Sequence, residues 1–146
     1  QYDAVGINNN SNYLTSSAGI YFYIENSTVT AWIKVYNCRT NSRIIDFGYI
    51  PPTDNVYIGF YQASDCRLFS GIHFNSQLLA SHIVSSSSFD LNKWIHIAVV
   101  YTGANIKLYI NGTFVGQGSS YPIRVLNRTV CFFGQSHGSI WGDPSK

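Results

Sequence analysis

Residues 94–117 constrain the fold class more than any other part of the chain, because the Asn111-Gly112 pair lies between two apolar runs. Both central positions of a type I′ turn need positive φ, which asparagine tolerates and glycine adopts freely. A two-residue hairpin follows, with Ile110 opposite Thr113, Tyr109 opposite Phe114 and Leu108 opposite Val115. Ile106, Leu108, Ile110 and Val115 then share one apolar face. Upstream, residues 94–101 are apolar at nearly every position, the pattern of a strand buried on both faces, and residues 102–105 supply the next turn. Three consecutive antiparallel strands result. On this reading Trp94 and the earlier Trp32 belong to the core. His96, alternating with Trp94 and Ala98, is a core or subsurface histidine.

The rest of the chain repeats the theme. Strand-like runs over 27–36, 42–50, 55–62, 67–74, 78–84 and 129–135 are separated by Gly, Pro, Asn, Asp and Ser clusters, with 51–54 and 85–88 read as loops. Helical periodicity never persists for three turns. The expectation is an all-β, two-sheet antiparallel jelly-roll-like β-sandwich. A chain of 146 residues suits one domain and buries about two thirds of its unfolded surface.

Charge excludes some functions. The net charge of +2 comes from nine Lys and Arg scattered singly, so nucleic acid is not an expected partner. No apolar run approaches the ~20 residues of a membrane span, and no signal peptide opens the sequence, which reads as a mature segment or an excised domain. Four sequons, at Asn9, Asn26, Asn111 and Asn127, point to a secreted glycoprotein. Of the three cysteines, Cys38 follows one strand and Cys66 sits in the turn after another, so a meander puts both at one end of a sheet. A Cys38 to Cys66 disulfide is the favoured pairing and leaves Cys131 unpaired; three buried thiols are the alternative.

Catalytic signals are absent. Glycoside hydrolysis needs two carboxylates flanking the bond, yet Glu25 is the only glutamate, and Asp3, Asp46, Asp54, Asp65, Asp90 and Asp143 stand singly, mostly in turns. No enzyme activity is expected. The histidines do not cluster, and His73 with His82 on neighbouring strands falls short of a zinc site. Tyr57, Gly59 and Tyr61 alternate on one strand face, with Phe69, Gly71 and His73 on the next. That pattern describes a groove for a glycan or peptide, and equally an ordinary concave sheet. Trp141 falls in a loop, where an indole either covers an edge or stacks on a sugar or protein partner.

The segments "STVTAWIKV", "RIIDFG", "DNVYIGF", "FDLNKWIHIAVVYTGANIKLYINGTFVGQG" and "FFGQS", in this order, resemble the laminin G-like group of the concanavalin A-like lectin/glucanase superfamily over most of residues 5–143. The Trp-x-His-x-Ala strand followed by the Tyr-x-Asn-Gly hairpin is the most specific part. The resemblance implies a curved β-sandwich, a module of larger extracellular proteins that binds glycans or other proteins, commonly with calcium. By resemblance the calcium candidates are Asp54 with Asn55, and Asp143; turn-forming aspartate is the alternative. Compared with the family pattern, the chain begins at about the second element and stops at "GDPSK", so the first and last strands, neighbours in that fold, are expected to be lacking. Exposed sheet edges would then pair with other chains or other copies, near Trp141 and Cys131. The functional expectation is a non-catalytic extracellular module of structural assembly or adhesion, a repeating unit of a fibre. The alternative is a calcium-dependent lectin-like module.

Overall fold

The computed structural model describes residues 6–7, 13–23, 26–49, 53–74 and 80–135. Its strands, in chain order, are β1 (Leu14–Thr15), β2 (Asn26–Lys34), β3 (Arg43–Tyr49), β4 (Thr53–Phe60), β5 (Arg67–His73), β6 (Ala80–Ser88), β7 (Trp94–Thr102), β8 (Asn105–Ile110), β9 (Thr113–Ser119) and β10 (Val130–Phe133). They form a six-stranded sheet in the order β1-β10-β3-β4-β5-β6 and a four-stranded sheet in the order β2-β7-β8-β9. All pairings are antiparallel. The two sheets pack face to face, and no helix occurs among the described residues.

Alternation decides what enters the core. Along β7 the inward row is Ile95, Ile97, Val99 and Tyr101, each at most 2% exposed. It meets Ile106, Leu108 and Val115 of its own sheet and Ile45, Phe47, Val56, Ile58, Leu68 and Ile72 of the other. One polar contact ties the layers together: the fully buried Ser70 hydroxyl donates to the Tyr57 carbonyl at 2.9 Å and lies 2.7 Å from the Tyr101 hydroxyl. Burial raises the Tyr101 phenol well above its usual range, against a smaller opposing effect of the Ser70 hydrogen bond. The hydroxyl therefore stays protonated, available to this bond.

The outward row overturns the expectation for the tryptophans. Trp94 is 52% exposed and Trp32 is 66% exposed. The stretch 94–101 is apolar on both rows, but only one face of the four-stranded sheet has another sheet against it, and the branched residues take that face. His96 shares the outward row and is half-buried.

Other boundaries also differ. Residues 85–88, expected as a loop, continue β6 because they seal one side of the sandwich. Ser85 is buried, and the Ser86 hydroxyl donates to the Val115 carbonyl on β9 at 2.9 Å. In the hairpin Ile110 faces Thr113 and Tyr109 faces Phe114 as read from the sequence, but a bulge sets Leu108 opposite Gly116 instead of Val115. Asn111 and Gly112 both have positive φ, 49° and 77°. The β10 strand, expected as an exposed edge, lies inside its sheet: β3 pairs on one side, while β1 and the Gly19–Arg128 bridge cover the other.

Cys38 and Cys66 form a disulfide, with Cα atoms 5.5 Å apart. Cys131, expected at a contact surface, is instead 2% exposed in the core, so it is no contact residue. Burial raises its thiol pKa, and Arg128 opposes that in part.

Large-to-small changes on the two rows of β7 should behave oppositely. Ile97→Ala should cost about 2 to 5 kcal/mol in chemical denaturation, as a core truncation, whereas Trp94→Ala should stay within about 0.5 kcal/mol of the parent.

Candidate functional site

The outer face of the six-stranded sheet is built by register. Phe132, Asp46, Tyr57, Gly71 and His82 stand in one row across β10, β3, β4, β5 and β6, and Arg43, Gly59 and Phe69 stand in the next. The two aromatic rings and the two glycines alternate like squares on a board. A Cβ at Gly71 would come within 2.4 Å of the Tyr57 hydroxyl, so the Tyr57 ring lies where that side chain would be. The Phe69 ring stands against Gly59 in the same way, and a Cβ there would also meet the Ser42 carbonyl at 2.0 Å.

This packing sinks both rings into a floor, each 3% exposed, outside the inter-sheet core. Their centroids are 5.5 Å apart. The Arg43 guanidinium covers them, 4.5 Å from the Tyr57 centroid and 5.1 Å from that of Phe69, a cation–π arrangement. Beside it, Asp46 is 3.8 Å from Arg43 Nε and accepts a 2.8 Å hydrogen bond from Asn55 Nδ2. Around the floor stands a rim. His73 lies 5.2 Å from Tyr57, Tyr61 lies 6.0 Å from Phe69, and His82 lies 5.5 Å from Tyr61. His73 and Tyr61 are half-buried, His82 is exposed, and the Arg67 guanidinium, paired with Asp65, stands over Tyr61.

Electrostatics follows from burial. Removal from water pushes the Tyr57 phenol up to about 12, with Arg43 pulling it down and Asp46 pushing it further up. The phenol stays a hydrogen-bond donor at neutral pH. Burial, then the positive charge of Arg43, holds His73 below its usual value, so its imidazole is neutral there. Arg43 Nε and Asn55 Oδ1 are buried polar atoms that make no hydrogen bond. Each is a group whose desolvation a partner would offset.

The sequence pairing of Tyr57, Gly59 and Tyr61 with Phe69, Gly71 and His73 on one face is what the register produces. Tyr57 is the floor rather than a reachable contact, and Tyr61 is part of the rim. Asn55 joins Asp46, while neighbouring Asp54 turns elsewhere: its carboxylate meets Arg124 at 3.2 Å, and its carbonyl accepts from Arg128. No group of three or more His, Cys, Asp or Glu among the described residues is placed to hold a metal. Asp143, Trp141 and Asn9 lie outside the described residues. Asn26, Asn111 and Asn127 are exposed, as are the hydroxyl residues Thr28, Thr113 and Thr129 that complete their sequons. Asn111 is also structural, since its Oδ1 accepts the His96 N–H at 2.8 Å.

Sequence reasoning missed Arg43 and Asp46, whose signal was the alternation of β3 against the Tyr57 strand. It also missed the exposed tryptophans of the opposite sheet. There Trp32 faces His96 across the β2–β7 pairing, with ring centroids 5.3 Å apart.

A family model described as the concanavalin A-like lectin/glucanases superfamily matches residues 8–145. Similar solved structures include mouse laminin α1 chain domains LG4-5, at 12% identity and TM-score 0.65, covering 90% of this chain and 34% of that one. Domain 4 of AbnA, a GH43 extracellular arabinanase from Geobacillus stearothermophilus solved with arabinotriose, aligns at 16% identity and TM-score 0.64, covering 86% and 58%. Bacillus licheniformis β-glucanase aligns at 14% identity and TM-score 0.54, covering 89% and 61%. The chain thus spans from about a third to three fifths of these proteins' lengths. At these identities the likeness shows the fold. No curated protein sequence matches the chain.

The suppressed pKa of His73 carries a pH signature. Above its unfolded value of 6.5 the residue is neutral folded or unfolded and contributes no pH dependence. As the pH falls through 6.5 the unfolded chain takes up the proton first, so stability declines until the pH passes below the folded pKa. Urea denaturation across this range should show the decline in the parent chain and a shallower one in His73→Gln.

Proposed function

The chain belongs to the concanavalin A-like lectin/glucanase superfamily, and from that premise we propose that it is a non-catalytic glycan-binding module of an extracellular glycoprotein. The sugar sits on the outer face of the six-stranded sheet. One observation carries this reading: rings of Tyr61, His73 and His82 rise around a buried Tyr57–Phe69 floor that already holds Arg43, Asp46 and Asn55. Sugar rings offer an apolar C–H face to aromatic side chains and hydroxyls to polar ones, and this face has both kinds of group. The arabinanase domain of the same fold was solved with arabinotriose.

The module reading is favoured over hydrolysis by the state of the carboxylates. Asp46 is engaged by Arg43 and Asn55, and Asp65 by Arg67, so neither stands ready as one of a facing pair. Calcium has no assigned role on this face. N-glycans at Asn26, Asn111 and Asn127 belong to the same proposal, and the disulfide fits an oxidising, extracellular compartment. No helix among the described residues is long and apolar enough to cross a membrane.

A second reading, assembly through sheet edges, rests on β2. Among the described residues it pairs only with β7, and its inward Val29, Ala31 and Ile33 are half-buried while the facing row of β7 is fully buried. A strand added along β2 from another copy would complete that cover.

A glycan array read with and without chelator tests the first reading. Bound saccharides should persist with chelator, and Tyr61→Ala should weaken them about tenfold, the scale of an interface hot spot. An array with no bound glycan removes the reading. Sedimentation velocity tests the second: concentration-dependent self-association is expected, and a compact monomer at every concentration rules it out.

A further inference from the structure

The four strands of the smaller sheet, β2, β7, β8 and β9, contain no aspartate or glutamate. Their outward face nevertheless carries cations and large rings. Trp32 is paired with His96 and Lys34 with Trp94 across adjacent strands, so these four side chains form one compact tile. Cross-strand partners lie about 5 Å apart at Cβ, and alternate residues along a strand about 7 Å apart, a footprint that one six-membered sugar ring covers. Lys34 extends this surface toward Tyr36, its Nζ 5.4 Å from that ring, and Tyr36 is as exposed as Trp32.

The inward row of β7 turns positions 32 and 94 outward, but it does not require tryptophan there, and indoles left in water forfeit burial. Their bodies are positioned to take the C–H face of a ligand. The strand beneath them is held firmly. His96 exchanges two backbone-level hydrogen bonds with Asn111, donating to its Oδ1 at 2.8 Å and accepting from its N–H at 2.7 Å. The strands of this sheet carry no carboxylate, and exposed Lys34 is available to an anionic ligand. Exposed Thr28, Thr30 and Thr102 add hydroxyls on the same face.

We propose that the outer face of the four-stranded sheet is a second saccharide site, which takes a pyranose bearing a carboxylate or sulfate group. The ring stacks on Trp32 and Trp94, and the anion is held by Lys34 with the His96 imidazole beside it. A flat tile with ring faces and hydroxyls suits a sugar better than an acidic peptide, whose side chains need pockets. The site is independent of the one on the six-stranded sheet and lies on the opposite side of the sandwich.

The test is a titration of the 146-residue chain followed by tryptophan fluorescence and calorimetry. The probes are a heparin-derived hexasaccharide, an oligogalacturonate, maltohexaose and polyglutamate. At least one of the two anionic sugars should bind and quench the indole emission, and which one binds identifies the anion as sulfate or carboxylate. Trp94→Ala and Lys34→Gln should each weaken that binding about tenfold, and added salt should weaken it further. Tyr61→Ala, on the other sheet, should leave it unchanged. Both altered residues are exposed, and circular dichroism checks that each variant folds. The proposal is overturned if neither anionic sugar binds, if maltohexaose or polyglutamate binds as well as they do, or if Trp94→Ala binds like the parent. It also falls if Tyr61→Ala abolishes the binding, which would place the ligand on the six-stranded face.

Discussion

A sandwich has four sheet faces and only one interior. Side chains alternate along every strand, so each inward row commits its neighbours to the outside. The buried row of Ile95, Ile97, Val99 and Tyr101 is what fixes the rest of the molecule. It meets the inward rows of β4 and β5, and the Tyr101–Ser70 hydrogen bond sets the depth at which the layers meet. Given that row, Trp94 and His96 face outward, and Trp32 follows from its pairing with His96.

The two outer faces handle their aromatic residues differently. On the six-stranded sheet, glycines at 59 and 71 let the neighbouring rings lie down, and Arg43 with Asp46 closes over them. Burying this ion pair costs desolvation that its attraction repays only with good supporting contacts, so its main effect is to fix geometry. Tyr57 and Phe69 beneath the guanidinium supply some of that support. On the four-stranded sheet no such glycine board exists, and the indoles stand up into water.

Much of this was legible in the sequence because it depends on local chemistry. The Asn111-Gly112 turn, the β7–β8–β9 succession and the placement of Cys38 beside Cys66 follow from turn preference and strand length. The alternation of Tyr57 and Tyr61 against Phe69 and His73 likewise gave one face of the candidate site. What could not be read was which of two apolar rows enters the core, since residues 94–101 are apolar on both and the choice belongs to the opposing sheet. The serines of 85–88 misled for a similar reason: serine favours turns locally, but here the Ser86 hydroxyl ties β6 to β9 while that of buried Ser85 bonds the Ser87 carbonyl within β6. The partners of Asp54 were also hidden, because Arg124 lies 70 residues away in sequence.

The same partition bears on how a module of this kind engages its surroundings. Stacked sheets pack about 10 Å apart, so groups on the two outer faces are separated by the whole thickness of the sandwich and cannot grip one small ligand together. The Arg43–Tyr57–His73 face and the Trp32–Trp94 face also differ in chemistry: one is a sunken aromatic floor under an ion pair and ringed by a rim, the other a tile of exposed indoles with Lys34 and no carboxylate on its strands. Among the described residues, one side of the sandwich is sealed by β6 against β9, while the other ends at the half-covered β2. Trp32 and Lys34 lie on that same strand, so a partner added along its edge would border the tile. Edge pairing and ligand binding at the tile would therefore be coupled through β2, whereas the face of the six-stranded sheet would remain independent of both.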